Sequence, residues 1–149
     1  MFEALTEKLF VARSLNQDTA VQAYDTPAIT DMVVELNTQE QLFDKGEDDE
    51  GRPLDSIGGD YSTRTKLYKR QQGQPVDRVT LKDTGAFYES FTASVQYNGD
   101  IVIEANTIKD GEDLQQRWGK GILGLQDKSK TKLQTEIRDE VIKEVRKLL

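Results

Sequence analysis

The stretch Thr80-Leu-Lys-Asp-Thr-Gly-Ala-Phe-Tyr-Glu-Ser90 decides the fold, because a change of pattern falls inside it. At its start Val79 and Leu81 alternate with polar residues, and this period of two is typical of a half-buried strand. We therefore expect a strand at about 77–82. The break at Asp83, Thr84 and Gly85 predicts a turn in which the aspartate bonds its own backbone and the glycine has positive φ.

Two more alternating runs follow and meet at Asn98-Gly99, so a hairpin is expected at about 91–105. A two-residue loop would set Ala93 against Glu104 and mix charge into the apolar face. A three-residue loop over 97–99 pairs apolar residues throughout: Val95 with Ile101, Ala93 with Ile103, and Phe91 with Ala105. It also puts Gly99 where a bulged turn needs left-handed backbone. The Asn-Gly hairpin remains the competitor, because that dipeptide is the strongest two-residue turn signal.

Helical periodicity flanks the predicted sheet on both sides. Apolar residues at spacings of three and four predict helices at about 3–14 and 27–45. A kinked continuation of the first helix through Ala20 and Tyr24 stays open. A stripe of the same kind predicts a C-terminal helix at about 128–148. The fold class is therefore expected to be α+β, a small antiparallel sheet packed against N-terminal and C-terminal helices in one domain, 1–149.

Between these elements, residues 47–75 lose all periodicity and are rich in turn formers, which predicts a long loop. A short helix is possible at 61–69, and 112–118 reads as one or two helical turns. Tyr88 is expected to be exposed. The expected core consists of Leu133, Ile137, Val141, Phe91, Val95, Ile101 and Ile103.

The composition limits the kinds of chemistry that this protein can perform. The 149 residues include no cysteine and no histidine, so disulfides, thiol catalysis and the commonest neutral-pH base are excluded. No apolar run approaches the roughly 20 residues that span a bilayer, and the N-terminus shows no recognisable export signal. We expect no membrane partner and a protein that is not an enzyme, with no catalytic, cofactor-binding or metal-binding residues.

Three stretches carry residue types that occur in chemical sites, and each has a simpler interpretation. The acidic run from Asp44 to Asp55 lacks the glycine that a calcium loop needs at its sixth position, where Asp49 stands. The Gly-Lys-Gly at 119–121 lacks the spacing and the hydroxyl residue of a phosphate loop. Asp83 and Glu89 could pair on a metal, but a turn is the more common use of Asp-Thr-Gly.

Three short motifs, spread over residues 36–149, resemble the small neck proteins of tailed bacteriophages, which complete the tail and join it to the head. The motifs are Tyr61-Ser-Thr-Arg-Thr65-Lys66, Leu81-Lys-Asp-Thr84-Gly85-Ala-Phe87-Tyr-Glu-Ser90, and Trp118-Gly119 followed by Ile-Leu-Gly-Leu before a last helix. The family commonly has a lysine four residues after the threonine, whereas here a lysine, Lys66, stands directly after Thr65 and Lys69 stands four residues after it. Phe87 replaces the family's leucine.

The resemblance implies a structural virion subunit that forms a homo-oligomeric ring at the head-tail junction after assembly in the host cytoplasm. Its partners would be further copies of itself and a neighbouring connector or tail-tube protein, with DNA only as passing cargo. A different class stays open. A net charge of -7 would also suit an acidic regulatory or inhibitory binding module, including one that imitates nucleic acid.

Charge is concentrated in two adjacent blocks, which suggests how such a ring would close. Residues 40–60 carry eight acids against two bases, and residues 61–82 carry six bases against one acid. In a head-to-tail ring, one block can meet the other block of the next subunit. The segment 44–75 is thus predicted to be the contacting arm, with Asp48, Asp49, Glu50, Arg64, Lys66, Lys69 and Arg70 at the interface.

Overall fold

The computed structural model describes residues 17–148 and combines helices with two small antiparallel sheets. The α-helices are α1 (Gln17–Tyr24), α2 (Pro27–Glu35), α3 (Asp55–Gly58), α4 (Thr63–Gln71), α5 (Ala86–Glu89), α6 (Leu114–Trp118) and α7 (Asp127–Lys147). A π-helix (Leu36–Phe43) continues α2, and a 3-10 turn (Lys120–Ile122) follows α6. The strands are β1 (Thr92–Val95), β2 (Ile101–Glu104), β3 (Ile108–Lys109) and β4 (Glu112–Asp113). The α+β class is confirmed, and the helix predicted at 3–14 lies outside the described residues.

The hairpin has the predicted register. Val95 pairs with Ile101 and Ala93 with Ile103. The amide of Gly99 donates to the Gln96 carbonyl at 2.8 Å, and Gly99 has φ 95°, so the three-residue loop with left-handed glycine is confirmed. The two-residue alternative is excluded because it would shift every pair by one residue.

The strand predicted at 77–82 is wrong. Leu81 has φ 60°, which breaks the extended conformation, and no neighbouring strand supplies hydrogen bonds to this segment within the described chain. Tyrosine side chains do so instead. The Tyr61 hydroxyl accepts from the amides of Thr80 and Leu81 at 2.9 and 3.2 Å, and Tyr88 donates to the Thr80 carbonyl. The alternation correctly predicted that Val79 and Leu81 are buried. It did not predict which groups would hydrogen-bond the backbone.

The long loop predicted at 47–75 is also corrected, because it contains α3 and α4 and an isolated bridge between Glu47 and Pro53. Its order comes from irregularly spaced apolar residues. Leu54 is fully buried, and Ile57 and Tyr61 pack against the same core cluster. The possible helix at 61–69 is realised as α4.

The long helix at the C-terminal end has the bounds that its stripe predicts, and it packs with α2 and the hairpin. Of the seven predicted core residues, Leu133 and Phe91 are buried. The other five are half-buried: Ile137, Val141, Val95, Ile101 and Ile103. Tyr88, predicted to be exposed, is half-buried, and burial raises the pKa of its hydroxyl well above the ordinary value.

The buried apolar residues form two clusters. The helix cluster joins α2, the π-helix and α7 and consists of Ile29, Val33, Leu36, Leu125 and Leu133. The loop cluster consists of Leu42, Leu54, Val79, Leu81, Phe87, Phe91, Leu114, Trp118 and Ile122. Ile103 on β2 packs against both clusters, so the hairpin connects them. The π-helix does so as well, since it supplies Leu36 to the helix cluster and Leu42 to the loop cluster.

Candidate subunit-contact surface

Helix α4 carries four of the seven residues predicted at the interface, and it is firmly anchored. Ser62 caps its first turn, with its hydroxyl accepting from the Thr65 amide at 3.2 Å. Lys66 forms an ion pair of 2.6 Å with Asp60 just before the helix, and this hydrogen bond holds the pKa of the Asp60 carboxyl below its ordinary value. One acid of the acidic block therefore pairs with one base of the basic block inside the same chain.

Lys69 is the main correction to the predicted interface, because only 4% of it is exposed. Its ammonium donates to the Lys82 carbonyl at 2.6 Å and to the Gln74 side-chain oxygen at 3.0 Å, and it lies 4.6 Å from the centre of the Tyr61 ring. A buried ammonium needs such partners to offset its lost hydration. Lys69 thus secures α4 against the segment before α5 and offers no surface to a neighbouring subunit.

The opposite side of α4 is the outer face, which we define as Arg64, Leu67, Tyr68 and Gln71. Spacings of three, four and seven put these residues on one side of a helix. Leu67 is 56% exposed and Tyr68 is 50% exposed, and Arg64 and Gln71 flank them. Arg70 is exposed beside this face. Two adjacent large apolar side chains therefore point into solvent from a helix whose other side is fixed.

Asp48, one of the three acids predicted at the interface, points into the protein and is fully buried. Its carboxylate accepts from the amides of Glu50 and Arg52 at 3.0 and 2.9 Å, and it pairs with the Arg52 guanidinium at 2.8 Å. These bonds hold the turn between the two residues of the Glu47–Pro53 bridge. Asp48 is therefore a structural residue, and its placement at the interface is corrected.

Asp49 differs from its neighbours, because its carboxylate lies against the glycine bend at 121–124. A Cβ on Gly124 would come within 2.8 Å of the Asp49 Oδ2, so only glycine leaves room for this approach. Burial raises the pKa of Asp49, and the charges of Asp48 and Glu50 add to the effect. Glu50 itself is exposed and lies 3.4 Å from the Arg52 guanidinium. Of the predicted acids, Asp49 and Glu50 thus remain accessible.

The turn residues have structural contacts. Asp83 pairs with Lys109 on β3 at 2.9 Å. The prediction that its carboxylate bonds the backbone of the turn is wrong, because the Thr84 hydroxyl has that role and accepts from the Ala86 amide at 3.3 Å. Gly85 has φ 93°, which confirms the positive φ predicted for it. Together these residues start α5 and join it to the small β3–β4 sheet.

Sequence patterns missed a network of buried amides that positions the glycine bend. Asn37 on the π-helix donates to the Ile122 carbonyl and accepts from the Gly124 amide, both at 2.9 Å. Gln41, one turn further on, donates to the Gly124 carbonyl at 2.7 Å and accepts from the Gln126 amide at 3.0 Å. Because an amide side chain on a helix is usually solvated, only its place among apolar neighbours could have indicated burial.

Comparisons with protein-family models, with curated protein sequences and with solved structures found no match. Over residues 17–148, no helix is both long and apolar enough to cross a membrane. In the same part of the chain, no three carboxylates gather in a way that could hold a metal ion.

Proposed function

We propose that this protein is a structural subunit of the neck of a tailed bacteriophage, where copies of it form a ring that joins the head to the tail. The motif resemblance supplies the class of protein. The outer face of α4 is the observation that carries the proposal. It is an apolar and basic surface on an anchored helix, and a subunit of a ring needs such a surface.

The chemistry of the outer face suits a protein contact. Tyrosine and arginine are the residues over-represented where binding energy concentrates, and Leu67 adds apolar area beside them. Because Lys69 and Ser62 already fix α4, its ordering is complete before any partner arrives. Binding by a preorganised surface loses less entropy than binding by a mobile arm.

Fewer charged residues take part in the proposed contact than the two blocks of charge suggest. Lys66 is paired with Asp60 within the chain, and Lys69 and Asp48 are buried. Arg64 and Arg70 remain as the outward cations of α4. The contact therefore uses a few charges around an apolar centre, rather than one block facing the other.

The location of the protein in purified phage particles tests this function. Immunogold labelling should place it at the head-tail junction, and particle proteomics should find it in several copies per virion. Its absence from purified particles, or labelling confined to the capsid shell or the tail tip, would contradict the proposal.

The alternative, an acidic module that imitates nucleic acid, needs a row of carboxylates that face solvent. Within the acidic run Asp48 faces inward, and the Glu47 carboxylate accepts from the Gln126 side chain at 2.9 Å. A protein that stays strictly monomeric and binds a nucleic-acid enzyme would favour this alternative over the neck subunit.

A further inference from the structure

A cleft of about 520 Å³ lies on the helix cluster, between the hairpin and α7. Apolar side chains line it from both sides: Ile101 and Ile103 on β2, and Leu125 and Leu133 at the bend and on α7. Its volume falls within the range of roughly 300–1,000 Å³ that is typical of ligand pockets. It can therefore enclose a few apolar side chains.

The rim of this cleft is charged. Asp49 and Asp100 stand on it with a single cation, Lys130. The Asp100 carboxylate accepts from the Asn98 side chain at 3.1 Å. No donor within residues 17–148 hydrogen-bonds the Asp49 carboxylate, which is partly desolvated. A cationic group that reached the rim would give this carboxylate a partner.

The outer face of α4 has the complementary chemistry. Leu67 and Tyr68 present exposed apolar side chains, and Arg64 precedes them on the same side of the helix. We infer that the outer face of one copy binds in the cleft of the next copy, with Arg64 at the Asp49 and Asp100 side of the rim. This inference rests on the proposed ring and names the two surfaces that would close it.

The two surfaces belong to different parts of the subunit. Helix α4 adjoins the loop cluster through Tyr61, whereas the walls of the cleft come mainly from the helix cluster, and the two surfaces share no residue. A contact between different patches is heterologous, so it repeats from copy to copy and closes when the rotation per subunit divides a full turn. A ring follows from one kind of contact.

Cysteine crosslinking tests this contact directly, because the chain contains no cysteine and each variant then carries a single thiol. Gln71→Cys marks the outer face, and Gln134→Cys marks the cleft. Thr135→Cys is the matched control, since Thr135 is the next residue of α7, is exposed and does not line the cleft. The full-length variants are mixed in pairs, treated with a short bis-maleimide and resolved by denaturing electrophoresis.

We expect crosslinked dimers from Gln71→Cys mixed with Gln134→Cys, and loss of that band when Thr135→Cys replaces Gln134→Cys. Strong crosslinking of Gln71→Cys to itself would show that α4 faces α4, which overturns the inference and leaves the ring possible. If light scattering shows assembly but neither mixture gives a crosslink, the cleft does not bind α4 of the next copy, and the inference is overturned. If light scattering shows only monomers at every concentration, the proposed function is contradicted, and so is the inference that rests on it.

Charge reversal gives a second, independent readout. Arg64→Glu should weaken assembly roughly tenfold at low salt, because like charges would meet at the rim. Adding Asp100→Lys to the same chain should restore assembly, since every contact then regains an opposite pair. Unchanged assembly in Arg64→Glu, or no recovery in the double variant, would overturn the pairing.

Discussion

The two clusters of the core are held together in different ways. In the helix cluster, helices and the β1–β2 ladder satisfy most of the backbone, and most of the apolar side chains recur with helical or strand periodicity. The glycine bend beside Leu125 is the exception, because the side chains of Asn37 and Gln41 bond its backbone. In the loop cluster, the segment at 79–81 is buried and unpaired with any strand among the described residues, so Tyr61 and Tyr88 satisfy its backbone at Thr80 and Leu81. Side chains there do what a neighbouring strand would do elsewhere.

This difference has an energetic consequence. A ladder keeps its hydrogen bonds when a side chain at its surface is replaced, because both partners in each bond are backbone groups. A backbone held by a hydroxyl group loses its partner with that group, and an unsatisfied buried amide costs about 1–3 kcal/mol. The loop cluster should therefore depend on single polar atoms, and the helix cluster on apolar volume.

The largest effect is expected at Ile103, which packs against both clusters. Ile103→Asp places an unpaired charge between them and should cost on the order of 4 kcal/mol, enough to unfold a marginally stable domain. Val102→Asp, one residue earlier and on the exposed side of β2, should change stability little. Circular dichroism during thermal unfolding compares the two. Equal melting temperatures would show that the clusters do not depend on this strand.

Tyr61→Phe should be the next largest change. It removes the oxygen that accepts from two amides and should cost about 2 kcal/mol in denaturant unfolding. Amide exchange should accelerate at Thr80 and Leu81 in particular. Tyr68→Phe removes the same atom from an exposed ring and serves as the control, with no expected change. A Tyr61→Phe variant as stable as the parent would refute the hydroxyl's role.

A smaller effect separates backbone strain from steric contact at the hairpin. Gly99 and Gly111 both have positive φ, and an alanine there should cost about 1–2 kcal/mol. A Cβ at Gly99 would also stand 2.8 Å from the Tyr24 hydroxyl, whereas nothing lies within 4 Å at Gly111. Gly99→Ala should therefore destabilise the protein more than Gly111→Ala. Equal free energies of unfolding would show that α1 does not restrict the turn.

The smallest expected effect is a pH dependence at Asp49. Its pKa is raised above 3.8, so the folded state favours the neutral carboxyl, and the stability it contributes is present below 3.8 and lost as the pH rises through the folded pKa. Asp49→Asn should remove that loss and gain stability relative to the parent at neutral pH. Asp31→Asn, at an exposed position of α2, is the control. A gain that did not depend on pH would contradict this account.

Sequence patterns predicted the parts of the fold that periodic contacts stabilise. The register at Val95 and Ile101 follows from alternation and from the glycine at 99, and both are local signals. The C-terminal helix follows from an apolar stripe. Neither prediction needs knowledge of distant residues, and both describe elements packed on the helix cluster.

The rest could not be predicted because its partners are distant in the sequence. Tyr61 bonds residues 19 and 20 positions away, and Asn37 bonds residues 85 and 87 positions away. Charge also misled, since Asp48 and Lys69 occur in runs of solvated residues but are buried. The partners of Asp48 are close by, at Glu50 and Arg52, whereas Lys69 donates to the carbonyl of Lys82, 13 positions further on. Reversing all four basic residues of α4 would therefore break the fold at Lys69 as well as the proposed contact.

The central claim is that the outer face of α4 assembles this protein into rings. Light scattering and negative-stain imaging of the parent and of the double variant Leu67→Ser, Tyr68→Ser test it, with melting temperatures taken in parallel. Tyr97→Ser is the matched control, because Tyr97 is 84% exposed on the hairpin loop and lies outside both proposed surfaces. We predict closed rings for the parent and the control, and folded monomers for the double variant. A monomeric parent, or rings of the same size from the double variant, would contradict the claim.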